Sequence, residues 1–143
     1  TLDQKRQGLQ QQHQKRLPLA LKICVDLEPA DVRDIVDCAL QHHIDAIIVS
    51  NTTIDHASVA QYQHGGEQGG LSGAPLTTKA CQYLAMIQQH AVGRLDVIGV
   101  GGIMSTQDAS RRFDSGASLV QLYTGLIYRG PSLLAEIVRG LRV

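Results

Sequence analysis

The chain has no tryptophan, a single phenylalanine and no excess of either charge. Thirteen lysines and arginines balance thirteen aspartates and glutamates, so the electrostatic footprint of a nucleic-acid binder is missing. With aromatics at 3% of residues there is also no platform on which bases could stack. No apolar run approaches the roughly 18 residues of a membrane-spanning helix. Cysteine is scarce too. Cys24, Cys38 and Cys81 lack CxxC spacing and leave one odd, which reads as small core or near-core thiols in a reduced compartment, not as a disulfide or metal set. The six histidines form no HExxH and no zinc-finger spacing with the cysteines, so no metal is expected. A basic-then-apolar targeting signal is absent from the start, which opens at Thr1 on polar sequence as though cut from something longer.

What is present is alternation. Apolar runs at residues 17–25, 44–49, 96–100 and 117–122 read as buried parallel strands, with ladders expected near 19–25, 45–49, 96–100 and 118–122. Helical patterns lie between them. Pro29 suits a first turn, and Val32, Ile35, Val36, Ala39 and Leu40 form an apolar stripe opposite Asp31, Arg33, Asp34 and Asp37. In residues 77–90, Cys81, Leu84, Ala85 and Gln88 recur about one turn apart. Ser105 with Asp108 makes the aspartate variant of a capping box, opening a helix that Gly116 closes. Gly130-Pro131 starts a last helix whose expected buried stripe is Leu133, Leu134, Ile137, Val138 and Leu141.

Residues 1–16 are a Gln-rich polar leader, read as the end of an upstream helix, with a frayed leader or low-complexity linker as alternatives. Residues 17–143 form the domain proper. The order βαβαβαβα fits half of a closed (β/α)8 barrel or a small open α/β sheet; a complete barrel takes about 250 residues. The connection at residues 54–76, rich in Gly, Gln and His, is long enough to be functional or mobile.

Polar and glycine residues gather where the strands end. Gly99, Gly101 and Gly102 bare the backbone after the third strand, and Tyr123 and Thr124 follow the fourth, ahead of a short stretch at residues 126–128 able to form one extra helical turn. Loops in these places make the phosphate site of many barrels; the bland alternative is that the glycines only permit tight turns. Lys22 interrupts an apolar strand, where a charge needs an anion or polar cofactor unless it snorkels at the strand end. Asn51 and Thr52 offer neutral donors and acceptors suited to a planar ring with amide edges, or plain turn chemistry. The Gly-rich residues 69–73 allow backbone to close over a ligand or to form a flexible loop.

Five segments carry a family resemblance: LALKICVDL, IIVSNTT, GGLSGAPL, VIGVGGI and GASLVQLYTGLIYRGP. From about residue 17 to 141 the chain resembles dihydroorotate dehydrogenase, and the last segment looks like the quinone-dependent, membrane-associated class 2. The resemblance implies an α/β fold, the C-terminal half of a flavin-binding (β/α)8 TIM barrel with four parallel βα units. It implies oxidation of dihydroorotate to orotate in pyrimidine synthesis, with FMN as cofactor and a quinone as acceptor. Lys22 would lie against the flavin ring and Ser50 would contact FMN. Gly73, Gly101, Gly102, Tyr123 and Thr124 would hold FMN, mostly at its phosphate, while Asn51 and Thr52 would hydrogen-bond the orotate ring.

The sequence departs from the family in two small ways. Cys24-Val25-Asp26 stands where the family commonly reads Ala-Pro-Asp, and Ser50 stands where Thr is frequent. The family's proton-abstracting serine, N-terminal flavin contacts and membrane-binding helices would lie upstream of Thr1, so no catalytic base is expected in this chain. The implied parent is a peripheral protein of the cytoplasmic membrane face, and the chain by itself is expected to be an inactive fragment. The alternative from another class is a non-catalytic half barrel that binds a phosphate ligand or self-associates through unpaired sheet edges. A different flavin barrel oxidoreductase is the third possibility, disfavoured by the Asn51-Thr52 pair.

Overall fold

The four apolar runs become four parallel strands because each is followed by an amphipathic helix that carries the chain back. The computed structural model describes residues 1–141; Arg142 and Val143, the end of the expected domain, lie outside the described residues. In chain order the elements are α1 (Leu2–His13), β1 (Ala20–Ile23), α2 (Pro29–Gln41), β2 (Ala46–Val49), α3 (Thr77–Ala91), β3 (Asp96–Val100), α4 (Thr106–Asp114), β4 (Leu119–Gln121), α5 (Thr124–Arg129) and α6 (Ser132–Gly140). The strands pair in sequence order, β1-β2-β3-β4, all parallel. The ladders of β1 and β4 are shorter than the apolar runs around them. Cys24 and Val25 leave the β1 ladder, although Val25 remains fully buried.

The two faces of the sheet differ. Register puts Leu21, Ile47 and Val97 in one row and Lys22, Ile48, Ile98 and Leu119 in the next. Ile47, Val49 and Val97 are fully buried, in one cluster with Val32, Val36 and Ala39 of α2 and Ala80, Leu84, Ile87 and Ala91 of α3. Each valine, leucine or isoleucine among them contributes about 1.5–3 kcal/mol on leaving water. The second row is uncovered: Leu119 is 60% exposed. A sheet with helices on one face only is a partial (β/α) barrel, not a doubly wound open sheet, which would carry helices on both.

Local chemistry explains the helix ends. Pro29 opens α2 at its first turn. At α4, Ser105 Oγ accepts from the Asp108 N–H, and the Asp108 carboxylate accepts from Ser105 Oγ and the Met104 N–H. Helix α1 has a capping box between Thr1 and Gln4 and buries none of its residues. The ion pair from Arg6 to Asp45 ties it to the segment before β2, where Arg16 also pairs with Asp45, while Arg6–Asp3 lies within the helix. The polar leader is thus a helix through His13.

Three expectations need correction. The buried stripe of α3 is Ala80, Leu84, Ile87 and Ala91; Cys81 sits beside it and Ala85 faces solvent, because the helix turns its i, i+4, i+7 row from Ala80 toward the sheet. In α6 only Leu133 and Ile137 are buried, while Leu134 and Val138 are 54% and 43% exposed on the side away from the sheet layer. All three cysteines are free, but Cys38 lies on the exposed side of α2.

A candidate functional site at the strand ends

The C-terminal ends of the four strands open into one pocket of about 200 Å³. Lys22 comes from β1, Ser50, Asn51 and Thr52 from the exit of β2, Gly101 and Gly102 from the exit of β3, and Tyr123 and Thr124 from the exit of β4. Gly73 reaches it from the long connection. All nine residues singled out from the sequence therefore line the same cavity. Six more line it: Ser72, from the Gly-rich stretch 69–73, and Leu76, Val100, Ile103, Gln121 and Gly125, which sequence reasoning did not name as site residues. Gln121 had a usable signal, since strand alternation from Leu119 places it on the uncovered face.

Backbone bonds hold the β2 exit in place. The Asn51 N–H donates to Ile23 O of β1 at 2.8 Å, and the Ser50 N–H donates to Val100 O of β3 at 3.1 Å. The peptide between Val49 and Ser50 is cis. Asn51 turns its Oδ1 to accept from the Thr52 N–H at 3.0 Å, which leaves its amide NH2 free for a ligand. Ser50 is 3% exposed, and its Oγ has no hydrogen-bond partner among the described residues. A buried hydroxyl without a partner is costly.

The connection after β2 is ordered by the same exit. Thr53 and Leu71 exchange two backbone hydrogen bonds, at 3.1 and 2.8 Å, as an antiparallel bridge. The His56 ring lies between the carbonyls of Gly65 and Gly69, 3.1 and 3.0 Å away. The Thr124 hydroxyl meets Ser72 Oγ at 3.1 Å, which brings this segment against the β4 exit. Gly73, at φ +80°, packs so closely on Thr124 that a Cβ would stand 3.0 Å from its methyl group.

Beneath the β2 exit sits an acidic anchor. The Asp26 carboxylate accepts from Thr53 Oγ1, from the Ile54 N–H at 3.0 Å and from Lys79 Nζ at 2.8 Å. Burial alone would raise the Asp26 pKa, but the bonds from Lys79, Thr53 and Ile54 together hold it below the ordinary aspartate value. Lys79 is raised in turn, chiefly by its bond to Asp26. Lys22 behaves differently from its sequence reading. It is exposed, and among the described residues it forms no ion pair, because β1 is a terminal strand and its row faces the uncovered side. The burial cost inferred from its apolar neighbours is not incurred here.

Residues 3–143 match the family model for dihydroorotate dehydrogenase. The chain belongs to that family. Curated relatives named dihydroorotate dehydrogenase (quinone) include one from Thiobacillus denitrificans, 48% identical over 133 residues, covering 93% of this chain and 40% of the relative. One from Nitrosomonas eutropha is 47% identical over 129 residues, covering 90% and 38%. Among solved structures, DHODH from Eimeria tenella in complex with ferulenol superposes with a TM-score of 0.84 at 38% identity, covering 89% of this chain and 34% of that one. The chain thus spans about two-fifths of the length of the curated relatives it matches. Among the described residues no helix is long and apolar enough to cross a membrane.

Proposed function

We propose that this chain supplies the cofactor- and substrate-binding groups of a dihydroorotate dehydrogenase that uses FMN and passes electrons to a quinone in pyrimidine synthesis. The observation that carries the reading is the convergence of nine residues, from five scattered motifs, on one pocket that holds an unpartnered buried hydroxyl. The donor set fits FMN. Ser50 Oγ waits for a polar ligand atom, and Gly101 and Gly102, at φ +92° and +71°, take a backbone that side chains rarely adopt, where a Cβ on Gly102 would also run into Thr77. Gly101, Gly102, Tyr123 and Thr124 would hold the phosphate, with Gly73 closing over the cofactor.

Bound FMN would supply the acceptor for the hydride taken from dihydroorotate. Lys22 keeps a positive charge at the same strand ends, favouring negative charge gained on the cofactor side. Asn51 and Thr52 present an amide and a hydroxyl that orient the dihydroorotate ring by its polar edges. By the family resemblance, the proton-abstracting serine is not a residue of this chain. The reading makes the protein peripheral on the cytoplasmic face of a membrane, held there by segments other than the ones described.

The test is titration of the purified protein with FMN, then with orotate. FMN fluorescence should be quenched, and orotate should perturb the visible absorbance of the bound flavin. Asn51→Ala should remove the orotate response while sparing the FMN response. A protein that binds neither ligand refutes the reading. The alternative, a half barrel that pairs with a second copy, draws on the terminal strands β1 and β4 and the exposed Leu119. A ligand-free dimer in sedimentation would favour it.

A further inference from the structure

Arg112 is the largest fully buried side chain among the described residues, and it is a cation. It leaves α4 and passes behind β3 through space left by Gly99, where a Cβ would stand 3.1 Å from Arg112 Cδ. Its guanidinium donates to Gly101 O at 2.6 Å and Thr77 O at 2.9 Å, and touches Cys81 Sγ. Its Nε has no partner among the described residues. Among the described residues no carboxylate lies within 4.0 Å of it. Asp108, the acidic group that acts on it from the same helix, is engaged in capping α4. A buried cation held by two carbonyls and a cysteine sulfur, with no carboxylate against it, is costly unless a further anion comes close.

The loop it grips is the one that lines the pocket. Gly101 O is held by Arg112, and Gly102 O accepts from Thr77 Oγ1 at 2.8 Å. Both carbonyls are thus committed to α3 and α4. The N–H groups of Gly101, Gly102 and Ile103 have no acceptor among the described residues. Two successive glycines with positive φ whose carbonyls are drawn one way present their N–H groups the other way, as anion-binding nests do.

We propose that Arg112 is the buried countercharge and positioning residue of the pocket's phosphate end, holding the Gly101–Gly102 loop with its amides forward and favouring a phosphomonoester over the corresponding alcohol. The proposal rests on the FMN reading above and adds a residue outside the pocket lining. A purely structural role would weaken every ligand alike. A countercharge instead sets the preference for FMN over riboflavin, which differ by the phosphate alone.

The experiment measures both affinities for the protein and for Arg112→Met and Arg112→Lys. Arg112→Met should lower the FMN-to-riboflavin affinity ratio about tenfold or more, the order for unit charges a few ångströms apart in a medium of intermediate polarity. Arg112→Lys should keep most of the ratio. An unchanged ratio in a folded Arg112→Met variant overturns the proposal and leaves the FMN reading standing. A parent protein that does not prefer FMN overturns the reading of the pocket, and the proposal with it. Should Arg112→Met fail to fold, nitrogen-15 NMR of the parent protein decides. The Arg112 Nε–H resonance should shift when inorganic phosphate binds, and a resonance that stays fixed while phosphate binds overturns the proposal.

Discussion

Removing the Asp26 carboxylate tests how the β2 exit is held. In Asp26→Ala, three donors lose their acceptor at once: Lys79 Nζ, the Ile54 N–H and Thr53 Oγ1. Hydrogen bonds to a charged group are worth about 1.5–3 kcal/mol each when buried, and a half-exposed ion pair adds 1 kcal/mol or less. The three donors do not all lose their partners outright. Lys79 is 30% exposed and finds water, while Thr53 Oγ1 still accepts from the Asp55 N–H at 3.1 Å and contacts Lys79 Nζ at 3.3 Å. The sum is therefore about 2–3 kcal/mol, not three full bonds. For a chain of this size that is a Tm lower by about 7–10 °C.

Asp26→Asn should lose about half as much, because one amide oxygen can still accept while its NH2 faces Lys79. The sign with pH follows from the lowered Asp26 pKa. A carboxylate depressed in the folded state stabilises above its unfolded pKa, near 3.9, and that contribution fades as pH falls through the folded value. Chemical denaturation at pH 7 and pH 3 should show the gap between parent and Asp26→Asn closing at the lower pH. A parent–variant gap under about 0.5 kcal/mol at pH 7, or one unchanged at pH 3, would refute the reasoning.

Other outcomes are equally checkable. Gly102→Ala places a Cβ 2.5 Å from Thr77 N at φ +71°, so it should cost about 3 kcal/mol or more in denaturant titration and abolish phosphate binding. Gly130→Ala, with φ +67° but nothing within 4 Å, should cost only about 1–2 kcal/mol. In the flavin-loaded protein, Lys22→Met should lower the flavin reduction potential measured by spectroelectrochemistry; an unchanged potential would make Lys22 a strand-edge lysine and nothing more. The 143-residue chain supplied with FMN, dihydroorotate and a quinone should show no turnover, because the resemblance implies a proton-abstracting serine that this chain does not supply. Orotate formation above the protein-free rate would contradict that assignment.

What the sequence determined by itself was the order of elements and the end of the sheet at which the candidate residues gather. Apolar runs, Pro29, the Ser105–Asp108 cap and Gly116 act within a few residues of themselves, so local periodicity and capping chemistry suffice to read them. Lys22, Ser50, Asn51, Thr52 and the glycines were legible because each follows or interrupts a strand, and parallel strands deliver all their ends to one face. Tertiary structure decided the rest. Asp26 finds Lys79 across 53 positions and Thr53 across 27, a pairing that no spacing rule encodes. Which apolar residues of α6 are covered depends on the neighbouring layer, and Leu134 and Val138 have none there. Arg112 reads locally as one more basic residue near the end of a polar helix. It is buried because Gly99 leaves a channel behind β3 and because the carbonyls of Thr77, at the start of α3, and of Gly101 accept its hydrogen bonds at the far end, and both conditions exist only once the sheet has assembled.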